Sequence, residues 1–158
     1  MKKFLVVSDL HIPTRNSDVP EIILNLAKEV DGIIGLGDYV SMDVVGLFKG
    51  LTVFHGVHGN MDFPDVKDFL PFNKLMVIEN VKVGLCHGWG PPWGIEERIL
   101  ETFDERPDVI LFGHTHYSAD KTIGGVRYLN PGATEKGGSF GILTLDGGKV
   151  VFEIKRCP

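Results

Sequence analysis

Five short apolar runs in this chain are each followed by an aspartate, asparagine or histidine, most of them beside glycine or another small residue. Runs of this length, bounded by turn residues, are typical of buried β-strands. In open α/β sheets, ligands bind outside the carboxyl ends of the strands, where side chains face solvent from a rigid scaffold. The runs and the polar residues after them are residues 4–7 with Asp9 and His11, residues 33–36 with Asp38, residues 51–54 with Asn60 and Asp62, residues 81–86 with His87, and residues 109–112 with His114 and His116. The pattern predicts a site built where these strands end.

Helical patterns separate the strands in the first part of the chain. After the first run, Asp18 is placed to cap a helix, Pro20 falls in its first turn, and Gly32 ends the pattern. Apolar residues at positions 22, 23, 26, 27 and 30 form one face of this helix. Shorter helices are predicted over residues 42–48, 64–70 and 94–105. This part of the chain is therefore βαβ-like.

The C-terminal quarter has a different pattern, in which strands follow one another directly. Gly124-Gly125 separates two short β-like runs. Residues 146–148 (Asp-Gly-Gly) separate residues 140–145 from residues 149–154, as in a hairpin. The two parts together predict one α/β (α+β) domain over residues 1–158, with two packed mixed sheets and helices outside them.

The charge balance and the cysteines limit the classes of function. A formal net charge of −5 argues against a surface built for nucleic acid or an anionic membrane, so a nucleic-acid partner is not expected. Cys86 and Cys157 are too few for a disulfide framework, which favours a reducing, cytoplasmic location. No apolar run reaches the roughly 18 residues of a membrane span, and the first run stops at Ser8, too early for a signal peptide.

The side chains after the runs also select the chemistry of the site. They offer carboxylate, amide and imidazole donors but no thiolate, which disfavours a structural zinc site made of cysteines. The donors are Asp9, His11, Asp38, Asn60, His87, His114 and His116. They exceed the ligand set of one tetrahedral ion and suit two ions that share a ligand. Mixed N and O donors favour Mn, Fe, Co, Ni or Zn over Mg or Ca, so we expect two divalent transition-metal ions, with Mn favoured.

Taken in order, these residues form five motifs with a family resemblance. They are Asp9-x-His11, Gly37-Asp38, Gly59-Asn60-x-Asp62, His87-Gly88 and Gly113-His114-x-His116, followed by Asn130-Pro131-Gly132-Ala133. The set resembles the motifs of the calcineurin-like metallophosphoesterases, and the short length and the last motif resemble their small bacterial and archaeal phosphodiesterase branch (YfcE-like). The resemblance spans residues 9–132. It implies the metallophosphoesterase fold, a four-layer αββα sandwich with a dinuclear metal centre at the strand ends.

The resemblance also implies a role for each motif residue. The first ion would be held by Asp9, His11 and His116, the second by Asn60, His87 and His114, and both by Asp38. The implied reaction is hydrolysis of a small phosphodiester or other phosphate ester by a hydroxide that bridges the ions. Asp38 and Asn60 are the catalytic residues that this mechanism implies, and the expected partner is a small-molecule substrate.

Position 61 departs from the family pattern. Many members have a histidine there that assists the leaving group, whereas Met61 has a thioether that neither donates a proton nor carries charge. The small phosphodiesterase branch also commonly lacks that histidine, and good leaving groups are then expected to react best. His58 would replace the missing acid, with a structural or surface role as the alternative. Asp62 either accepts a hydrogen bond from a ligand histidine or caps the helix near Pro64.

Trp89 and Trp93 follow the His87 motif and flank two prolines. A rigid aromatic wall over the substrate is one interpretation of this segment. The other is a helix N-terminus with Trp93 packed on the core.

Other classes of function remain open from the sequence alone. Residues 114–120 are similar to a metallo-β-lactamase-type motif, although the spacing and the place in the chain differ. His-x-His also occurs in amidohydrolase barrels, which need about 250 residues. The phosphoesterase fold also serves as a protein-interaction scaffold in a retromer subunit, so a catalytically weak or inactive scaffold is the main alternative. The full set of ligand residues favours the enzyme, and a homo-oligomer is compatible with either function.

Overall fold

The apolar run at the N-terminus forms the central strand of one sheet, in a computed structural model that describes residues 1–158. The strands are β1 (Lys2–Val7), β2 (Gly32–Gly35), β3 (Phe54–Gly56), β4 (Asn73–Ile78), β5 (Val81–Cys86), β6 (Val109–Leu111), β7 (Ser118–Ile123), β8 (Val126–Pro131), β9 (Ser139–Asp146) and β10 (Lys149–Arg156). The helices are α1 (Glu21–Leu26), α2 (Met42–Leu51), α3 (Pro64–Phe69) and α4 (Ile95–Leu100), with a 3-10 helix at Ala27–Glu29.

The strands form two mixed five-stranded sheets. The first has the order β10-β9-β1-β2-β3, in which β1, β2 and β3 are parallel, β9 is antiparallel to β1, and β10 is antiparallel to β9. The second has the order β4-β5-β6-β8-β7, with β5, β6 and β8 parallel and the two outer strands antiparallel. Parallel neighbours end at the same edge of a sheet, so the polar residues after them are brought together.

The two sheets pack face to face, and helices cover their outer faces. Along β1, Phe4 and Val6 pack between the sheets, whereas Leu5 and Val7 pack under the helices of the first sheet. Because both faces of β1 are buried, its sequence is apolar without alternation. On the other side, α4 packs on the second sheet. The predicted four-layer αββα sandwich is therefore confirmed.

The predicted strand over residues 51–54 is wrong at its start. Leu51 is the last residue of α2, and β3 begins only at Phe54. The helix continues because Leu51 lies three residues after Phe48, on the face of α2 that packs into the core. Leu51 thus belongs to the helical period, and only Phe54 of the run lies in a strand.

Two predicted helix limits also differ from the structure. Asp18 does not cap α1, which begins at Glu21 with Pro20 as its N-cap and no side-chain hydrogen bond. The carboxylate of Asp18 instead accepts a hydrogen bond from Ser17 Oγ at 3.2 Å. The helix predicted over residues 94–105 is shorter in the structure: α4 ends at Leu100, and a turn follows it. None of the helices has the length and apolar composition needed to cross a membrane.

Candidate metal centre

The exits of β1, β2, β5 and β6 meet at one edge of the molecule, and the backbone there has an uncommon conformation. Five of the predicted ligand residues have φ angles between 51° and 68°, a region that residues other than glycine seldom adopt. These residues are Asp9, His11, Asp38, His114 and His116. Strained residues of this kind persist where their surroundings hold them, and they cluster at functional sites.

Asp9, His11 and His116 form a first group of side chains at this edge. Asp9 Oδ1 lies 3.9 Å from His11 Nε2 and 3.5 Å from His116 Nε2. The two rings are 5.2 Å apart between centroids. Ligand atoms of the three residues lie within 4.8 Å of one another, close enough to share one metal ion. These are the residues that the resemblance assigns to the first ion.

Asp9, Asp38 and His87 form a second group, which shares Asp9 with the first. His87 Nε2 lies 3.1 Å from Asp38 Oδ2 and 3.8 Å from Asp9 Oδ1. Asp38 Oδ2 is also 3.8 Å from His11 Nε2. Both carboxylates therefore reach both halves of the site, whereas the sequence analysis gave the bridging position to Asp38 alone.

Four atoms of this site are buried without a hydrogen-bond partner: Asp9 Oδ1, His11 Nδ1, His11 Nε2 and His87 Nε2. An unpaired buried polar atom costs about 1–3 kcal/mol, so such atoms are uncommon in native proteins unless something binds them. Three of these atoms face one another, since Asp9 Oδ1 lies within 3.9 Å of both His11 Nε2 and His87 Nε2. Carboxylate oxygen and imidazole nitrogen are donors that divalent transition metals accept. The residues therefore fit a metal centre.

The ionisation of the buried groups follows from their contacts. Burial opposes protonation of His87, but the close contact with Asp38 and the charges of Asp9 and Asp38 outweigh it and raise its pKa to about 9. That contact is too bent for a regular hydrogen bond, so we attribute its effect mainly to charge. Burial also opposes ionisation of Asp38, yet the contact with His87 lowers the pKa of Asp38. Burial lowers the pKa of His11 and raises that of Asp9.

His114 and Asn60, the other predicted ligands of the second ion, border this group. His114 Nε2 lies 3.0 Å from the carbonyl oxygen of Gly90, and the His114 ring is 5.4 Å from that of His87 between centroids. Asn60 is exposed and lines a small cavity together with His87. Of the two imidazoles in the second predicted set, only that of His87 joins the carboxylates.

Asp62 has a structural position that neither sequence-based alternative described. Its carboxylate accepts hydrogen bonds from the backbone N–H groups of Asp38, Val40 and Gly59, at 3.0, 2.7 and 2.7 Å. It does not cap α3, whose N-cap is Phe63, and it accepts no hydrogen bond from a histidine. Burial raises its pKa. Asp62 thus joins the loop after β2 to the loop after β3.

Ser8 and Asn130 are buried polar residues beside the site to which the sequence analysis gave no role. Ser8 Oγ donates to Asp9 Oδ2 at 2.8 Å. The Asn130 amide donates to the Gly113 carbonyl at 3.1 Å and to Thr115 Oγ1 at 3.2 Å. Ser8 directly follows the apolar run of β1, whereas Asn130 lies within β8, in the motif at residues 130–133.

Two glycines are required by the close approach of the loops. A Cβ on Gly59 would collide with Asp38 Oδ1, and a Cβ on Gly113 would collide with Ser8 Oγ and lie 3.1 Å from Asp9 Oδ2. A side chain at position 59 would therefore displace the Asp38 carboxylate, and one at position 113 would displace the Ser8 hydroxyl that binds Asp9.

Met61 and His58 lie beside the site without joining either group. The Met61 N–H donates to Asp38 Oδ1 at 2.8 Å, and its side chain is half-exposed. His58 Nδ1 lies 2.9 Å from the Leu70 carbonyl, and His58 lines the same cavity as Asn60. The predicted packing of Trp93 on the core is wrong, because this side chain is exposed.

Comparison of the sequence with known families identifies relatives along nearly all of the chain. A family profile for the calcineurin-like phosphoesterase superfamily domain matches residues 2–148. A probable metallophosphoesterase from Methanothermobacter thermautotrophicus is 33% identical over 156 residues, which cover 96% of this chain and 90% of that protein.

Solved structures show the same relationship. A Thermotoga maritima protein determined by solution NMR is 54% identical, covers 99% of each chain and gives a TM-score of 0.85. Vps29 from Entamoeba histolytica, determined in complex with Zn²⁺, is 25% identical, covers 99% of each chain and gives a TM-score of 0.76. From its motifs, its fold and these relatives, the chain belongs to the calcineurin-like phosphoesterase superfamily.

Proposed function

We propose that this protein is a phosphodiesterase that depends on two divalent metal ions and hydrolyses small phosphodiesters. The observation that carries the proposal is the set of buried, unpaired atoms Asp9 Oδ1, His11 Nε2 and His87 Nε2. They belong to two groups of metal-ligand type that share Asp9. Bound cations would give these atoms the partners that they lack. Membership in the phosphoesterase superfamily supports phosphate esters as the substrates.

The ligand assignment follows the two groups. The first ion would be held by Asp9, His11 and His116, and the second by Asp38 and His87, with Asn60 and His114 at its outer side. Mixed oxygen and imidazole donors favour transition metals, and we expect Mn²⁺. When bound, such ions lower the pKa of water and polarise phosphate oxygens, which are the two contributions that ester hydrolysis needs.

The chain holds one oxygen of each carboxylate and leaves the other facing the site. Asp9 Oδ2 accepts hydrogen bonds from Ser8 Oγ and from the His114 backbone N–H, whereas Asp9 Oδ1 has no partner. Asp38 Oδ1 accepts the Met61 N–H, whereas Asp38 Oδ2 faces the imidazoles. This division orients the ligand atoms before any ion arrives, which reduces the reorganisation needed for binding.

The side chain at position 61 gives the leaving group no help. Met61 stands where many superfamily members have histidine, and a thioether donates no proton. The substrates turned over best are therefore diesters whose leaving group departs readily as an anion, such as aryl phosphodiesters. A net charge of −5 disfavours binding of long nucleic acids, so small diesters fit better.

The proposal is tested with bis(p-nitrophenyl) phosphate and protein stripped by a chelator. We expect turnover only after Mn²⁺ or another divalent transition metal is added, and loss of turnover in His87→Ala. His55→Ala is the matched control, because His55 lies in β3 outside both groups, and it should keep the activity. Absence of turnover with every divalent metal would contradict the proposal.

A non-enzymatic scaffold is the second candidate, favoured by the similarity to Vps29, which is named as a vacuolar protein sorting protein. Because the Vps29 structure from Entamoeba histolytica contains Zn²⁺, metal content alone does not separate the two functions. Turnover does separate them. A scaffold would show bound metal in elemental analysis but would hydrolyse no phosphodiester, whereas an enzyme would do both.

A further inference from the structure

Two aromatic side chains stand beside the candidate metal centre without belonging to any apolar core. Phe72 and Trp89, named here the aromatic face, have ring centroids 5.7 Å apart. Phe72 is 45% exposed and Trp89 is 38% exposed, and neither packs in the three apolar clusters of the fold. Exposed aromatic surface that packing does not explain is a common sign of a binding site.

Phe72 of the aromatic face lines a cavity that is also lined by the predicted ligands Asn60 and His87. This cavity has a volume of about 130 Å³, close to the engineered cavity of about 150 Å³ that holds one benzene molecule. Its lining residues are His58, Gly59, Asn60, Lys67, Phe72, His87 and Gly88. The cavity is therefore a ring-sized space lined by both Phe72 and the ligand histidine His87. Lys67 adds a positive charge to its wall.

The loop that carries Trp89 is held in place on both sides. The Arg98 guanidinium donates to the carbonyl of Trp89 at 2.8 and 3.2 Å and to that of Trp93 at 3.1 Å, and it also contacts the Pro91 carbonyl. On the other side, the Gly90 carbonyl lies 3.0 Å from His114 Nε2. A loop fixed in this way presents Trp89 with little conformational freedom left to lose on binding.

We infer that the aromatic face is a subsite that stacks a planar ring carried by one ester group of the substrate. This inference rests on the proposed phosphodiesterase function. It narrows the substrate class to phosphodiesters that carry a nucleobase or an aryl group. The phosphate would lie at the metal ligands, and the ring would lie in the cavity lined by His87 and Phe72, with Trp89 extending the stacking surface.

The kinetic test uses two diesters with the same leaving group. Thymidine 5′-(p-nitrophenyl) phosphate and methyl p-nitrophenyl phosphate both release p-nitrophenol, so their ratio of kcat/KM reports only the other ester group. We expect the metal-loaded protein to prefer the thymidine ester by about tenfold or more, the size that stacking of one base on an aromatic side chain provides. Phe72→Ala and Trp89→Ala should each reduce this ratio. Trp93→Ala, an exposed tryptophan on the same loop, should keep it.

A binding experiment makes the result independent of turnover. The chain has two tryptophans, so Trp93→Phe leaves Trp89 as the sole tryptophan reporter. Adenosine 5′-monophosphate should quench its fluorescence in the metal-loaded protein, whereas ribose 5-phosphate should not. Equal kcat/KM ratios in the wild type and variants, or equal quenching by both ligands, would overturn the inference. Absence of turnover of both esters, with selective quenching by the nucleotide, would overturn the proposed function and leave the subsite standing.

Discussion

His87 donates its Nδ1–H to the carbonyl oxygen of Leu36 across 2.6 Å. Leu36 follows β2 in the first sheet and His87 follows β5 in the second, so this buried bond joins the two sheets at the metal centre. It turns His87 Nε2 towards Asp38 Oδ2, 3.1 Å away. A hydrogen bond to one ring nitrogen determines which nitrogen is free to bind a metal. The proton on His87 Nε2, which the neighbouring carboxylates stabilise, therefore makes metal binding depend on pH.

We expect metal binding to release about one proton from His87. Its pKa of about 9 means that the ring is protonated near neutral pH in the metal-free protein, and an ion must displace that proton. His11 has a pKa lowered by burial and loses no proton in this range. The affinity for Mn²⁺ should therefore fall about tenfold for each pH unit between pH 9 and pH 7. Calorimetry in buffers of different ionisation enthalpy measures the protons released.

The matched variants for this prediction are His87→Gln and His55→Gln. Glutamine at position 87 removes the titrating group, so proton release should disappear and Mn²⁺ should bind more weakly. His55 lies outside both metal groups, and its replacement should change neither quantity. A heat of binding that does not depend on the buffer in the wild-type protein would contradict the assignment.

Replacement of Asp62 by alanine should destabilise the metal-free protein. The change leaves the buried N–H groups of Asp38, Val40 and Gly59 without their acceptor. At about 1–3 kcal/mol for each unpaired group, the free energy of unfolding should fall by about 3 kcal/mol or more. Urea denaturation measures the loss. Asp68→Ala, at an exposed position of α3, is the control and should stay within about 0.5 kcal/mol of wild type.

Gly59→Ala should weaken the metal site, whereas Gly46→Ala should stabilise the fold. A Cβ on Gly59 would meet the Asp38 carboxylate, whereas a Cβ on Gly46, inside α2, would have no heavy atom within 4 Å. We expect Gly59→Ala to weaken Mn²⁺ binding because Asp38 must move. Gly46→Ala should raise the free energy of unfolding by about 0.5–1 kcal/mol, since alanine favours the helix. Metal titration and urea denaturation of both variants check the pair, and unchanged Mn²⁺ affinity in Gly59→Ala would count against the geometry.

Met61→His should improve the turnover of poor leaving groups. The Met61 backbone bonds to Asp38, so an imidazole at this half-exposed position would stand beside the site and supply the acid that the thioether lacks. General acid catalysis contributes about 10²-fold or more when the leaving group needs a proton. We expect a gain of that size for an alkyl phosphodiester and a much smaller gain for bis(p-nitrophenyl) phosphate. Equal gains for both esters would show that leaving-group protonation does not limit the wild-type reaction.

The sequence predicted most of the fold because burial leaves a clear pattern. The apolar run of β1 is buried on both faces, and the hairpin of β9 and β10 turns at glycines as expected. One exception is Leu51, an apolar residue that suits either a helix face or a strand. Only packing on the core of the first sheet decides between them.

The predicted first group of ligands is found together because its residues lie in the short loops that follow β1 and β6. The supporting contacts were harder to predict, because they join positions far apart in the chain. Asp62 illustrates this: nothing near it in sequence indicates that it accepts the N–H of Asp38, 24 residues away. The sharing of Asp9 by both groups likewise depends on the distance between loops, which motif spacing does not contain.

Anomalous diffraction from crystals grown with Mn²⁺ tests the central claim most directly. The account predicts two manganese peaks, one among Asp9, His11 and His116 and the other beside Asp38 and His87. A single peak, or none at these side chains, would contradict a dinuclear centre at the strand ends.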